Sequence, residues 1–258
     1  MRTICIANQK GGTGKTTTVF NLAGALAESG KKVLAIDLDP QGGLTVCFGL
    51  NPRLIEPTIA DVLLDPAETP LRKAIVPTPV ENIHLVGANK GLASVAKEFD
   101  LNLPGWHEVL KRELDGPDAA GYDYVLLDTQ PDLTLLSTLS LHAADLALIP
   151  FQCEFLSMNS LGQLVEFIGK VQERINPRLA FKILFTLYTG RTIHEHEVAE
   201  EVRRTFNEHV LKTTINKTVR FADSASNGQP MVFFDPGNKG ADAYRQALKE
   251  ILYGKIEP

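Results

Sequence analysis

Nothing in this chain restricts its fold more than the segment Gln9-Lys10-Gly11-Gly12-Thr13-Gly14-Lys15-Thr16-Thr17. It follows the short apolar run Thr3–Ala7 and precedes a helical pattern in which Val19, Leu22, Ala23 and Leu26 recur at i, i+3, i+4 and i+7. In a strand, glycine loop, helix sequence the loop N–H groups curl around phosphate oxygens, and the helix aims its positive end at them. Lys15 is placed to reach the β- and γ-phosphates, and the Thr16 hydroxyl to ligate Mg²⁺. The loop departs from the standard pattern at Gln9, which stands where glycine is required. It also carries a second lysine, Lys10, five residues before Lys15.

The rest of the chain repeats the alternation. Gly30 ends the first helix with Lys31 and Lys32 beside its negative end, and Val33–Ile36 is a second strand. Ile83–Val86, Tyr124–Leu127, Leu146–Phe151 and Phe181–Leu187 read as further strands. Their nearly continuous apolar character predicts burial on both faces. Helices are predicted over Leu133–Ala144, Ser157–Ile175, Glu195–Phe206 and Ala241–Leu252. Thr192 and Glu195 form the pattern of a capping box. Six prolines between residues 51 and 80 predict irregular backbone there, with short helices at most. The expected architecture is α/β: one doubly wound, mostly parallel sheet with helices on both faces, spanning residues 1–258 as one domain.

Two strands end in carboxylates, at Asp37-Leu38-Asp39-Pro40-Gln41-Gly42 and at Asp128-Thr129-Gln130-Pro131. In a parallel sheet the strand C-termini share one edge, so Asp37, Asp39 and Asp128 should converge on the phosphate loop. There they can hold Mg²⁺ or its waters and orient an attacking water.

With these segments, the stretch Ala144–Phe155 and the C-terminal Phe221–Tyr244, the sequence is similar to the ParA/Soj family of partition ATPases. That family lies in the deviant Walker A class of P-loop proteins, and the resemblance extends over nearly the whole chain. It implies the fold of that class and weak ATP hydrolysis stimulated by a partner. Lys10 resembles the signature lysine that crosses an ATP-sandwich homodimer to the other copy's phosphates, in the manner of an arginine finger. Gly11, Gly12, Thr13, Gly14, Lys15, Thr16 and Thr17 would bind ATP. Asp39 matches the aspartate that positions water, and Asp128 the Walker B aspartate. Thr16, Asp39 and Asp128 would hold Mg²⁺. Asn216 falls in a stretch that lies close to the adenine in relatives.

The resemblance also implies nonspecific DNA binding by the ATP dimer, through Arg191, Lys217 and Arg220, and a ParB-type cargo adaptor. It implies a cytoplasmic, nucleoid-associated protein that drives segregation or positioning of a chromosome, plasmid or other cargo. Several positions differ from the family pattern: Gln130 and Asp132 after the Walker B strand, Gly43, and Ile215-Asn216-Lys217-Thr218 in place of Ile-Pro-Arg-Asn. Two related activities share these motifs, a MinD-like membrane-cycling ATPase and a positioner of a protein assembly. The chain begins directly at its first strand, so operator-specific autorepression through an N-terminal DNA-reading extension is not expected.

Composition bears on those partners. The net charge is −5, yet residues 170–258 carry 14 basic and 11 acidic side chains, and Arg203–Arg220 holds five basic and one acidic. An acidic chain can thus still present a local anion-binding face. No apolar run approaches the roughly twenty residues that span a bilayer. Cys5, Cys47 and Cys153 have no paired spacing, which argues against a disulfide framework, a zinc site or a metal-cluster carrier. His194 and His196, two apart on a helix start, face different directions and are not read as a metal pair.

Overall fold

The computed structural model describes residues 1–98, 105–133, 135–154 and 157–254. Through the first half the order is β1 (Arg2–Ile6), α1 (Lys15–Glu28), β2 (Val33–Leu38), α2 (Gly43–Cys47), α3 (Ile59–Leu64), α4 (Leu71–Ala74), β3 (Ile75–Pro77), β4 (Ile83–Val86), α5 (Leu92–Glu98) and α6 (Val109–Asp115). There follow β5 (Tyr124–Thr129), α7 (Leu135–Ala143), β6 (Leu146–Phe151), α8 (Ser157–Arg174), β7 (Ala180–Tyr188), α9 (Ile193–Phe206), β8 (Val210–Asn216), α10 (Arg220–Ser226), α11 (Met231–Phe234) and α12 (Lys239–Tyr253). The eight strands form one sheet in the order β3-β4-β2-β5-β1-β6-β7-β8. All pairs are parallel except β3 against β4.

Each central strand feeds two cores by simple alternation. On β2, Leu34, Ile36 and Leu38 face the side covered by α3–α9, while Val33 and Ala35 face α1 and α10–α12. On β6, Ala147, Ile149 and Phe151 go one way, and Leu146 and Leu148 the other. This is why the strands read as unbroken apolar runs. Gly24 lets α1 approach α11: a Cβ there would lie 2.3 Å from the Pro230 Cβ.

Three expectations need correction. Residues 51–80 contain a strand, β3, besides the short helices α3 and α4. Val210–Asn216, not predicted as a strand, is β8 at the sheet edge. Its register against β7 breaks between Val210 and Thr214. At that break Arg203 donates to the Leu211 and Lys212 carbonyls, and Glu250 accepts the Lys212 and Thr213 N–H groups at 2.6 and 2.9 Å. The outer edge of the sheet is therefore capped by a helix carboxylate. Third, Thr192 caps α9 by accepting the Glu195 N–H, but the Glu195 carboxylate turns to the preceding loop, so the box is not reciprocal.

The last helix, α12, buries Ala241, Tyr244, Ala247, Leu248 and Ile251. Arg245 ties it to Glu28 of α1 at 2.7 Å. No helix among the described residues is long and apolar enough to cross a membrane.

Candidate nucleotide site at the C-terminal edge of the sheet

Strand β1 lies between β5 and β6, and the loop after it opens at the C-terminal edge. Asn8 starts the turn. Its amide donates to the Pro150 carbonyl at 2.6 Å while its Oδ1 accepts the Lys10 N–H at 2.9 Å. Gly12 and Gly14 have φ of 74° and 87°, a left-handed backbone that glycine adopts without strain. A Cβ at Gly11 or Gly12 would meet nothing within 4 Å, so the concave side of the loop is open. From β7, the buried Thr186 hydroxyl donates to the Thr13 carbonyl at 2.8 Å and pins the loop from behind. Lys15, the first residue of α1, is buried and its Nζ donates to the Lys10 carbonyl at 3.2 Å. Burial pushes the Lys15 pKa down, against the pull of Asp128, Asp39 and Asp132.

The acidic groups assemble as the strand ends require. Asp128 pairs in register with Ile6 on one side and Asp37 on the other. Asp37 is fully satisfied by the Thr45 N–H and hydroxyl at 2.9 and 2.8 Å and by the Asp39 N–H at 3.1 Å. It is thus a buried strut for the loop that carries Asp39. Burial nevertheless raises its pKa to about 6. Both oxygens of Asp128 are buried with no hydrogen bond of good geometry. Burial and then Asp37 drive its pKa well above the carboxylate range, with the neighbouring Thr16 hydroxyl and Lys15 opposing. Two orphaned carboxylate oxygens next to a threonine hydroxyl suit a hard divalent cation that keeps several waters, so Thr16 and Asp128 fit Mg²⁺. Asp39, half-buried, accepts the Gln41 N–H at 2.9 Å, and its charge acts on both Lys15 and Asp128.

Lys10 points elsewhere. Its ammonium lies 2.5 Å from Glu154 and 3.1 Å from the Ser157 hydroxyl, with side-chain exposures of 30% and 50% for the pair. Asp132 joins Gln130 at 2.5 Å and the Ser137 hydroxyl at 3.2 Å, forming a polar turn ahead of α7.

Beside Gly14 and Thr17 a cavity of about 250 Å³ runs between Thr186, Leu187, Ile215, Asn216, Phe221 and Tyr244. Asn216 lies in its wall, so the β8 end borders the same cavity as Gly14 and Thr17 of the phosphate loop. Arg191, Lys217 and Arg220 are not at the loop. Arg191 follows β7 and Lys217 follows β8, joined by the Lys217 N–H donating to the Tyr188 carbonyl at 3.0 Å. Both are exposed, and neither has an ion pair among the described residues. Arg220 differs: it pairs with Asp235 at 3.0 Å and Asp223 at 3.4 Å and stacks over Phe234. Sequence reasoning missed Asn8, Thr45, Glu154 and Thr186, none of which belongs to a local pattern.

The family described as an AAA domain matches residues 1–181. The sporulation initiation inhibitor protein Soj of Bacillus subtilis is 38% identical over 250 residues, covering 96% of this chain and 97% of Soj. The chromosome partitioning protein ParA of Myxococcus xanthus is 36% identical, covering 97% and 88%. Among solved structures, the cobyrinic acid a,c-diamide synthase of Mycobacterium smegmatis with bound ADP and magnesium is 35% identical. It superposes with a TM-score of 0.84, over 100% of this chain and 98% of that one. With the lysine-first phosphate loop, the paired strand-end aspartates and near-full-length likeness to Soj and ParA, the chain belongs to the ParA/Soj/MinD family of deviant Walker A P-loop ATPases.

Proposed function

We propose that this chain is a ParA-type ATPase that dimerises around ATP·Mg²⁺, holds DNA without sequence preference as a dimer, and releases it on slow hydrolysis. In this reading residues 1–258 act as one ATPase domain. The loop from Gly11 to Thr17 cradles the phosphates and Lys15 neutralises their charge. Thr186, Ile215, Asn216 and Phe221 enclose the base. Bound Mg²⁺, held at Thr16 and Asp128 with Asp39 close by, would neutralise charge on the phosphate oxygens. Asp39 orients the attacking water by accepting a hydrogen bond from one of its O–H groups. A ParB-type adaptor on the cargo accelerates turnover, and the cycle segregates or positions that cargo from the nucleoid in the cytoplasm.

One observation carries the dimer switch. Lys10 is held at the surface by an exposed pair and does not fold into its own phosphate loop. An ion pair so exposed holds about 1 kcal/mol or less. A second copy's phosphates, meeting Lys10 in a desolvated interface, outcompete it. Lys10 of the partner subunit then completes the charge compensation that one copy cannot supply. DNA binding rests on Arg191 and Lys217, which carry uncompensated charge on adjacent loops.

The test is DNA co-sedimentation with and without ATP·Mg²⁺ over a salt series, using wild type, Lys10→Ala and Asp39→Ala. Wild type should bind any duplex only with ATP, Lys10→Ala should not bind, and Asp39→Ala should stay bound. Strong ATP binding with no DNA retained at low salt sinks the DNA reading. Recruitment to anionic liposomes or to a protein scaffold would then take its place.

A further inference from the structure

The two loops that carry Arg191 and Lys217 also carry two of the most exposed large apolar side chains in the described structure. Ile193 is 80% exposed and Val219 is 78% exposed. A lone exposed apolar residue carries no message. What marks this pair is placement. Ile193 opens α9 two residues after Arg191, and Val219 precedes α10 two residues after Lys217. The strands that deliver them, β7 and β8, are neighbours whose ends meet at Tyr188 and Asn216. Helix α9 packs on one face of the sheet and α10 on the other, so the two tips straddle its C-terminal edge. Val219 stays outside the nucleotide cavity that its neighbours Thr218 and Phe221 line.

The first tip is also held rigid. Glu195 is only 9% exposed, and its carboxylate accepts the Thr189 N–H at 2.8 Å and the Thr189 hydroxyl at 2.6 Å. Burial alone would raise its pKa. The Thr189 bonds, with the N–H groups of Gly190 and Arg191, outweigh burial and hold it below the usual range. His196 braces the same turn, contacting the Tyr188 hydroxyl at 3.2 Å and the Gly190 carbonyl at 3.1 Å. A loop whose own N–H groups are taken up internally does not use them to bind a phosphate. It instead presents fixed side chains, one cationic and one apolar. Ordering was completed in the free protein, so docking loses little entropy.

We propose that Ile193 and Val219 are apolar contact points for duplex DNA, pressing on deoxyribose and base edges in the minor groove between phosphates held by Arg191 and Lys217. Proteins that bind DNA without base readout combine cations with apolar side chains in this way, because sugar surface is the same for every sequence. The charge complementarity of two unpaired cations selects the polyanion as occupant. This inference rests on the DNA-binding reading above and adds a term to it that salt does not screen.

The experiment measures ATP·Mg²⁺-dependent binding of a short random-sequence duplex over a salt series, for wild type, Ile193→Ser, Val219→Ser, Arg191→Ala and Lys217→Ala. The serine variants should lose about three- to tenfold in affinity at every salt concentration with an unchanged salt slope, whereas each cation variant should flatten the slope by about one unit. Ile193→Val and Val219→Ile should bind like wild type. In Ile193→Trp, duplex should quench the indole emission. If wild type binds DNA and the serine variants bind equally well, the tips are not contacts and the inference is overturned. It is also overturned if the serine variants lose ATP-dependent dimerisation by light scattering, which would assign the tips to a second copy. Failure of wild type itself to bind DNA removes the underlying reading, and is told apart from the tip result by that control.

Discussion

The Lys10 ammonium lies 2.5 Å from the Glu154 carboxylate of its own chain, both residues lying just past the C-terminal ends of the parallel neighbours β1 and β6. Removing this tether should favour the dimer. Glu154→Gln is expected to lower the ATP concentration for half-maximal dimerisation by up to about fivefold, since an exposed pair is worth at most about 1 kcal/mol. Analytical ultracentrifugation across an ATP series measures it. An unchanged or weaker transition would mean that Glu154 serves the dimer instead.

Asp37 and Asp128 sit side by side in register, both buried, and both bind protons more tightly folded than unfolded. Stability from this pair is therefore lost as pH rises from about 4, where the unfolded chain titrates, through the Asp37 value of about 6. Asp128→Asn should melt higher than wild type without nucleotide or metal. The difference should grow across that window to about 3 °C or more at neutral pH. A constant or negative difference in scanning calorimetry would contradict it.

Thr186 bonds the phosphate loop through its hydroxyl alone, so Thr186→Val keeps the shape and deletes the bond. A buried carbonyl left without its donor costs about 1–2 kcal/mol. Fluorescent-nucleotide titration should show affinity reduced about fivefold or more, with a lower melting temperature. Wild-type affinity would show that Thr186 is not a support of the loop.

Arg220 is shared between Asp235 and Asp223, and hydrogen bonding to Asp235 is the main reason its pKa is raised. Asp235→Asn should free the guanidinium and tighten ATP-dependent DNA binding a few-fold, with a steeper salt dependence. Arg220→Ala should cancel the gain. Fluorescence anisotropy of a labelled duplex distinguishes this from a purely structural pair, whose loss would weaken binding.

Gly24→Ala substitutes a better helix former in the middle of α1, yet its Cβ would lie 2.3 Å from Pro230. The clash, about 1–3 kcal/mol, exceeds the helical gain of up to about 1 kcal/mol. A lower urea midpoint is expected, and a higher one would mean that α11 yields freely.

What was legible in the sequence follows from range. The phosphate loop is one contiguous run, and Asp39 and Asp128 declare themselves by ending apolar strands, so their convergence needs only a parallel sheet. Asn8, Glu154 and Thr186 act on partners 142, 144 and 173 residues away, and no local pattern encodes that. Strand β8 was hidden because Val-Leu-Lys-Thr-Thr-Ile-Asn alternates poorly across its register break. Strand β3 was hidden by being three residues long and ending in Pro77. Glu195 shows the limit of a motif: a Thr-x-x-Glu spacing offers a reciprocal cap, but the loop before it presents more N–H groups than the cap does.

The capped margin at β8 has a consequence for strand pairing between copies. Glu250 takes up the Lys212 and Thr213 N–H groups that would otherwise donate to an incoming strand, and at the opposite margin Pro77 ends β3 without a donor of its own. Among the described residues, these positions at both margins are withdrawn from pairing with an added strand. Edge-to-edge pairing of two copies through these positions is therefore disfavoured, which works against fusion of their sheets into an amyloid-like ribbon.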